Sequence, residues 1–352
     1  MPSFMRRALG VAVAAAAGAA PLAAQQAAPA APQVTAGALV YTQYVYQLKD
    51  SVNHFNNFDI TRAYLNVLGR FAGGVTTRVT FDVQRFGTGG NAAITNPDNS
   101  LRLRLKYAFA TYTPQGSPLT FKGGLIHTPW LDWEEALWDY RVQGAMAMER
   151  AGYMSAADFG AGVDGKWGPD RVNFQFTVVN GETYKTGEVA GAGGQGKDAM
   201  ARISVRVLDT NDSSRVGGLR ITGYAAYGRA AAYADRNRYL AMVSYRTKQL
   251  TLAGEAAAAQ DGLGAATNGH LYSAFGVYKF TGSKAAVIAR VDIFHPQAGN
   301  TTDKQTRFIG GVSYQLTPNW RLLGDWDHLS YQGTAAQEAT RSQALFQTQF
   351  TF

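Results

Sequence analysis

The stretch Leu101-Arg-Leu-Arg-Leu-Lys-Tyr-Ala-Phe-Ala-Thr-Tyr112 decides the fold. Leu101, Leu103, Leu105, Tyr107 and Phe109 share one parity, while Arg102, Arg104, Lys106, Ala108 and Ala110 share the other. Successive side chains of a strand point to opposite faces, so this segment specifies one apolar and one strongly basic face. A helical period of 3.6 would spread the charges around the axis. The same split recurs at Val75 to Val83, where Arg78, Thr80 and Asp82 lie between apolar neighbours, and at Val172 to Val178 against Asn173, Gln175 and Thr177. Ala201 to Val207 alternates with Arg202, Ser204 and Arg206, and Val287 to Ile293 alternates with Ile288, Arg290 and Asp292. The last copy sets Phe346, Thr348, Phe350 and Phe352 against Gln347, Gln349 and Thr351.

Working outward gives sixteen such segments, at 34–46, 57–70, 74–86, 101–113, 118–128, 156–167, 171–183, 198–208, 216–228, 236–248, 249–260, 270–281, 284–295, 303–317, 319–331 and 342–352. The first and twelfth alternate least clearly. Every second connection is short, as at Ala72-Gly73-Gly74, Gly168-Pro169-Asp170, Lys248-Gln249 and Thr317-Pro318-Asn319. Longer ones intervene at Gly87 to Ser100, Pro129 to Ser155, Tyr184 to Lys197 and Gln332 to Arg341. An even number of ~10-residue alternating strands, joined by short turns at one end and longer loops at the other, specifies an all-β, sixteen-stranded antiparallel transmembrane barrel. Closure also removes the sheet edges that an open sheet of this size would expose. A soluble sandwich or propeller is the competing all-β architecture, but it would put the charged mid-strand faces outward over an equally large solvent surface.

Composition agrees. The 352 residues are 46% apolar but only 16% charged, below the ~25% of ordinary soluble domains. The 18 Tyr and 18 Phe argue against disorder. With no cysteine, a disulfide framework and thiol chemistry are excluded. Beyond the N-terminus no apolar run reaches the ~18 residues of a membrane helix. Arg6 and Arg7, the apolar stretch Ala8 to Ala20 and the small residues through Ala24 have the order of a secretory signal peptide. The expected organisation is a signal peptide at 1–24 (Ala30 is a second cleavage option), an Ala/Pro-rich lead-in at 25–33 and an outer-membrane barrel at 34–352. Removing Arg6 and Arg7 takes the formal net charge from +8 to +6.

If the apolar parity faces lipid, the other parity lines the lumen. The inward basic set is Arg62, Arg78, Arg102, Arg104, Lys106, Lys122, Arg171, Arg202, Arg206, Arg220, Arg246, Arg290, Arg307 and Arg321. The inward acids are Asp82, Asp164, Glu255, Asp292, Asp325 and Asp327, which leaves a strongly basic wall. An Arg or Lys at the lipid midplane costs roughly 2–4 kcal/mol, so the partition is physically required. A basic wall concentrates anions, and sixteen strands enclose a channel too wide for side chains to fill.

The loop after the fifth strand carries Trp130-Leu-Asp-Trp133-Glu134-Glu135-Ala-Leu137-Trp-Asp139-Tyr140-Arg141. At helical spacing Trp130, Trp133, Leu137 and Tyr140 form one stripe, and Asp132, Glu135 and Asp139 form another. The expectation is a short helix folded into the lumen, aromatic stripe on the wall, narrowing the channel. Counting Glu149 and Arg150, this loop is acidic, so it should set up a transverse field against the basic wall and not a purely cationic filter.

Other chemistry finds little support. His54, His127, His270, His295 and His328 show no metal-ligand spacing, and there is no nucleophile elbow or phosphate loop. No enzymatic activity, metal or cofactor is expected. Nor is nucleic-acid binding, because the positive charge is spread over many strands.

Three blocks resemble the phosphate-selective porin O and P family of Gram-negative outer membranes: Phe58-Asp-Ile-Thr-Arg62-Ala-Tyr64-Leu, Leu119-Thr-Phe-Lys122-Gly-Gly124-Leu-Ile-His-Thr-Pro129-Trp, and Met148-Glu149-Arg150 with Asp158-Phe-Gly160. The resemblance implies a homotrimeric sixteen-stranded porin whose third loop forms the constriction, in which basic residues strip water from the anion. Arg141 and Arg150, facing Arg102, Arg104 and Arg78, match those roles by position, whereas the acids at 132–139 depart from a cationic constriction. The closing segment ending at Phe352 resembles the terminal signal read by the barrel-assembly machinery. The expected function is passive diffusion of small hydrophilic solutes through a water-filled pore with a weak to moderate anion preference. The alternatives are a dedicated phosphate or oxyanion channel and a structural or adhesive barrel with a closed pore. The expected partners are outer-membrane lipid and small anionic or polar solutes.

Overall fold

The computed structural model describes residues 31–50, 52–85, 100–185, 196–229, 235–262, 268–300, 302–332 and 341–352. The expected signal peptide, and the expected lead-in before residue 31, lie outside the described residues. Sixteen strands run in chain order: β1 (Gln33–Gln47), β2 (Asn56–Phe71), β3 (Val75–Arg85), β4 (Leu101–Tyr112), β5 (Leu119–His127), β6 (Ala157–Trp167), β7 (Val172–Val179), β8 (Asp198–Leu208), β9 (Gly218–Tyr227), β10 (Arg236–Arg246), β11 (Leu250–Asp261), β12 (Asn268–Lys279), β13 (Ala285–His295), β14 (Gln305–Thr317), β15 (Trp320–Tyr331) and β16 (Arg341–Thr351). Each pairs antiparallel with its sequence neighbours, and β1 pairs with β16, so the sheet closes into a barrel. At the seam, the Ala38 and Phe352 backbones exchange hydrogen bonds of 2.6 and 3.0 Å.

The strands match the sequence-derived segments to within about two residues, except that β7 stops at Val179 and not at 183. There the Asp158 carboxylate accepts the backbone N–H groups of Gly181 and Thr183, at 2.7 and 3.2 Å. Those two residues take left-handed conformations, which turn the chain out of the sheet. The turn after β2 likewise needs glycine: Gly74 has φ 81°, and a Cβ there would lie 2.2 Å from the Thr113 carbonyl oxygen.

The alternation in β4 breaks at one point. Thr80 pairs with Tyr107 and Phe81 with Leu105, so Lys106 is an extra residue in a β-bulge. Parity flips across it. Leu103 and Leu105 are exposed on the outer face, but Tyr107 is buried in the lumen, and it is Tyr112 that returns to the outside. The expectation that Tyr107 and Phe109 share the outer face with the leucines is therefore corrected: both rings pack on His127, inside.

The loop between β5 and β6 folds inward and carries α1 (Leu131–Trp138), a 3₁₀ turn at Arg141–Gln143 and α2 (Ala147–Arg150). Asp139 ends α1 in the left-handed conformation, φ 60°, with its N–H on the Glu135 carbonyl. Trp130, Trp133, Leu137 and Trp138 are fully buried against Tyr224, Met242, Ala253, Leu271, Phe275 and Ile288 of β9–β13. Ring contacts Trp130–Tyr224 at 5.7 Å and Trp138–Phe275 at 5.3 Å each add about 0.5–1.5 kcal/mol beyond burial. This explains the weak alternation of β12. Leu271, Phe275 and Val277 point inward as a floor for the loop while Tyr272 and Tyr278 point outward, so both faces are apolar.

Candidate functional site

The loop divides the lumen. Its aromatic side covers the wall from β8 to β15, and its acidic side faces the arc from β1 to β5 across a cleft of about 350 Å³. The cleft is lined by Tyr41, Tyr64, Asn66, Arg78, Lys106, Tyr107 and His127 from the wall and by Asp132, Glu135, Ala136, Asp139 and Arg141 from the loop. Arg215, from the β8–β9 connection, joins them.

On the wall, Arg78 lies 4.7 Å from the Tyr107 ring centroid and donates to Asn66 Oδ1 at 3.2 Å, Thr80 Oγ1 at 2.9 Å and His127 Nε2 at 3.1 Å. A guanidinium has only donors, so His127 Nε2 must accept and the imidazole is neutral. The His127 ring stacks on Tyr107 with centroids 3.9 Å apart. Lys106 is buried, with Nζ 2.9 Å from the Tyr64 hydroxyl and 4.6 Å from that ring's centroid. Neither Arg78 nor Lys106 has a carboxylate partner among the described residues. Arg62 and Arg104, by contrast, share the buried Asp82, at 3.5 and 3.0 Å. Arg102 occupies the same inward parity one pleat beyond Arg104, towards the long-loop end.

The loop's acids are all engaged. Asp132 pairs with Arg215 at 2.6 Å, Glu135 with Arg141 at 2.8 Å, and Asp139 with Arg321 at 3.4 Å and Lys279 at 3.5 Å. Arg141 also binds Glu149 at 2.9 Å. Burial disfavours the ionised Asp132, but the guanidinium of Arg215 outweighs it and holds the carboxyl well below the usual carboxylate range. Glu134 is turned to the wall, where it meets the Trp130 indole N–H at 3.2 Å and the Glu255 carboxyl. Burial first, and the second carboxyl next, raise its pKa well above the ordinary value.

The other basic residues of the inward set serve elsewhere. Arg202 donates to the Pro129 carbonyl at 3.0 Å and stacks 4.0 Å over Trp133. Arg246 reaches the Ala136 carbonyl at 2.6 Å, Arg290 the Ala145 carbonyl at 3.3 Å, and Arg321 the Asp139 carbonyl at 2.6 Å. Arg307 forks onto Asp327 at 2.7 and 2.6 Å, and Lys122 pairs with Asp164 at 2.8 Å. Arg171, Arg206 and Arg220 cluster at the short-turn end; Arg171 and Arg206 pair with Asp209, while Arg220 donates to the Gly217 and Asp170 carbonyls. Arg150 is directed at Asp292 on the wall, 2.9 Å away, so among the five positions matched to a phosphate constriction only Arg78 and Arg141 line the cleft. Of the loop residues singled out from sequence, Asp132, Glu135, Asp139 and Arg141 line it as well, whereas Trp130, Trp133 and Glu134 face the wall. Glu149 reaches the cleft only through Arg141. Sequence reasoning missed Arg215 and Arg238. The second was legible, since it shares the inward parity of β10 with Arg246; it donates to the Tyr153 carbonyl at 3.0 Å.

No protein-family model matches the sequence, and no curated protein aligns with it. Solved structures do match. The anion-selective porin from Comamonas acidovorans superimposes with a TM-score of 0.64 at 13% identity, over 92% of this chain and 100% of that one. The chain has the porin fold. OmpF of Salmonella typhi, in complex with daunomycin, gives a TM-score of 0.65 at 10% identity over 91% of this chain and 97% of its own. A loop-deleted OmpT, an outer membrane protein of Vibrio cholerae, gives 0.62 at 11% identity over 92% and 100%. These likenesses show the fold, a barrel whose outer face is exposed and apolar.

Proposed function

We propose that the protein is an outer-membrane porin that passes small hydrophilic solutes through the cleft between the third loop and the β1–β5 wall, with a preference for anions. One observation carries this reading: each loop acid lining the cleft is matched by a cation, while Arg78 and Lys106 opposite have no acidic partner among the described residues. Four cationic and three acidic side chains line the cleft, so its net field attracts anions. The neighbour named as anion-selective supports the same sign. The preference is modest, because the acids remain within the cleft and set up a field across it.

A dedicated phosphate channel would need basic groups gathered around one anion. Of the five candidate arginines, Arg104 is held by Asp82 and Arg150 by Asp292, which favours general diffusion. Planar-bilayer recording tests both readings. In a potassium chloride gradient the reversal potential should have the sign of an anion-preferring pore, and millimolar phosphate should leave the chloride current largely intact. A cation-signed potential overturns the preference, strong phosphate block favours the dedicated channel, and no conductance at all leaves the structural barrel. Trimerisation, export through the 1–24 signal and assembly through the Phe352 terminus belong to the same proposal. Migration of the unheated protein at three times the monomer mass, an N-terminus at Gln25 and loss of assembly on deleting Phe352 are the respective tests.

A further inference from the structure

We infer that the connection between β8 and β9 is a second constricting element, entering the lumen from the short-turn end, and that its Arg215 sets the charge of the cleft. Residues 209–217 form the longest of the short connections, and they fold inward: Val216 is 2% exposed and packs in the same cluster as the loop's tryptophans. The connection is tightly folded on itself, for a Cβ on Gly217 would meet the Asp212 carbonyl oxygen at 2.1 Å.

Two arms reach α1 from this connection. Arg215 donates through Nη1 to the Asp132 carboxylate and through Nη2 to the Asp132 carbonyl, both at 2.6 Å. Asp212 accepts from Arg246 Nε at 2.8 Å, and Arg246 passes on to the carbonyls of Ala136 and Leu137 at 2.6 and 3.3 Å. The helix is thus gripped near both ends from below. Arg202, Arg220 and Arg215 also lie 4.0, 5.4 and 5.7 Å from the rings of the single indole of Trp133.

A short turn on the far side of the barrel would ordinarily contribute nothing to selectivity. Here it supplies one of the four cations of the cleft and the only ion-pair partner of Asp132 among the described residues. Without it the cleft would hold three charges of each sign, and Arg215→Glu would make the acids the majority. The sign of this effect rests on the anion-preferring reading above; the position of Arg215 in the solute path does not.

The chain contains no cysteine, so Arg215→Cys introduces a unique thiol. In bilayers, Arg215→Cys should shift the reversal potential towards cations by about a twofold change in permeability ratio. A cationic methanethiosulfonate reagent added to the short-turn side should restore it, and an anionic one should shift it further. Ser283→Cys, on the exposed β12–β13 turn, is the control whose conductance and potential should not respond. Arg215→Lys should keep the wild-type potential, which separates charge from a folding defect. If modified Arg215→Cys behaves as Ser283→Cys does, in both conductance and potential, the inference is overturned. If both reagents shift Arg215→Cys in opposite directions while the wild type is not anion-preferring, the second constriction stands and the anion reading fails.

Discussion

On the β2–β4 arc, Arg78 meets the cleft with Asn66, Thr80 and His127 as partners, and its charge is unspent. On the arc from β8 to β15, Arg202, Arg246, Arg290 and Arg321 end on backbone carbonyls of the third loop. Both arcs place arginine at the same inward parity of alternating strands. The difference is what stands in front of them. Where the loop lies, a guanidinium satisfies the carbonyls that a non-repetitive segment cannot pair within itself, and buried carbonyls must be paired. Where the loop is absent, the same side chain faces water and contributes field. Arginine count on a barrel wall therefore measures loop anchoring and pore charge together, and only the position of the loop separates the two.

The two arcs should differ most when an anchor is removed. Arg290 is fully buried between Asp292, at 2.9 Å, and Trp138. Arg290→Met leaves Asp292 with Arg150 and the Ser273 hydroxyl, at a cost of about 3–5 kcal/mol. Its folded barrel should lose the compact form at a clearly lower temperature on heat-shift gels, and an unchanged transition would contradict the anchoring role. Trp133→Ala empties the indole site among three guanidiniums, at a cost of about 3 kcal/mol to loop docking. Noisier, larger single-channel currents should follow; a steady wild-type current would show that the loop is held without it.

A smaller effect depends on pH. Because Glu134 has its pKa raised in the folded protein, its neutral form is the stabilising one. That contribution is complete below the ordinary carboxyl pKa and is lost as pH rises through the folded value. Wild-type stability should therefore fall more on the alkaline side than that of Glu134→Gln. Equal pH profiles would remove the carboxyl pair as a fastening. Smallest of all is Arg171→Ala. Both partners of its ion pair with Asp209 are more than half exposed, so stability should change by less than about 1 kcal/mol and selectivity not at all. A shifted reversal potential in that variant would mean that charge at the rim counts as much as charge in the cleft.

The barrel itself was legible in the sequence because its cause is local. Period-two alternation and the spacing of turns located all sixteen strands, and the two stripes of the 130–140 segment foretold which side of α1 meets the wall. The bulge at Lys106 was not legible, since one extra residue leaves no mark until the pairing with Thr80 and Phe81 is known. Nor was the division of the basic residues. Arg78 and Arg290 alternate with apolar neighbours in the same way, and a contact with Ala145, far away in sequence, is what distinguishes them. Arg215 lay in a turn that local pattern marks only as a turn.

Reversal potentials of three proteins in the same salt gradient test the division between arcs most directly: wild type, Arg78→Gln with Lys106→Gln, and Arg307→Gln. Anion preference is expected in the wild type, its loss in the double variant, and its retention in Arg307→Gln, whose guanidinium is paired with Asp327. An unaltered potential in the double variant, or an equal shift in Arg307→Gln, would contradict that division.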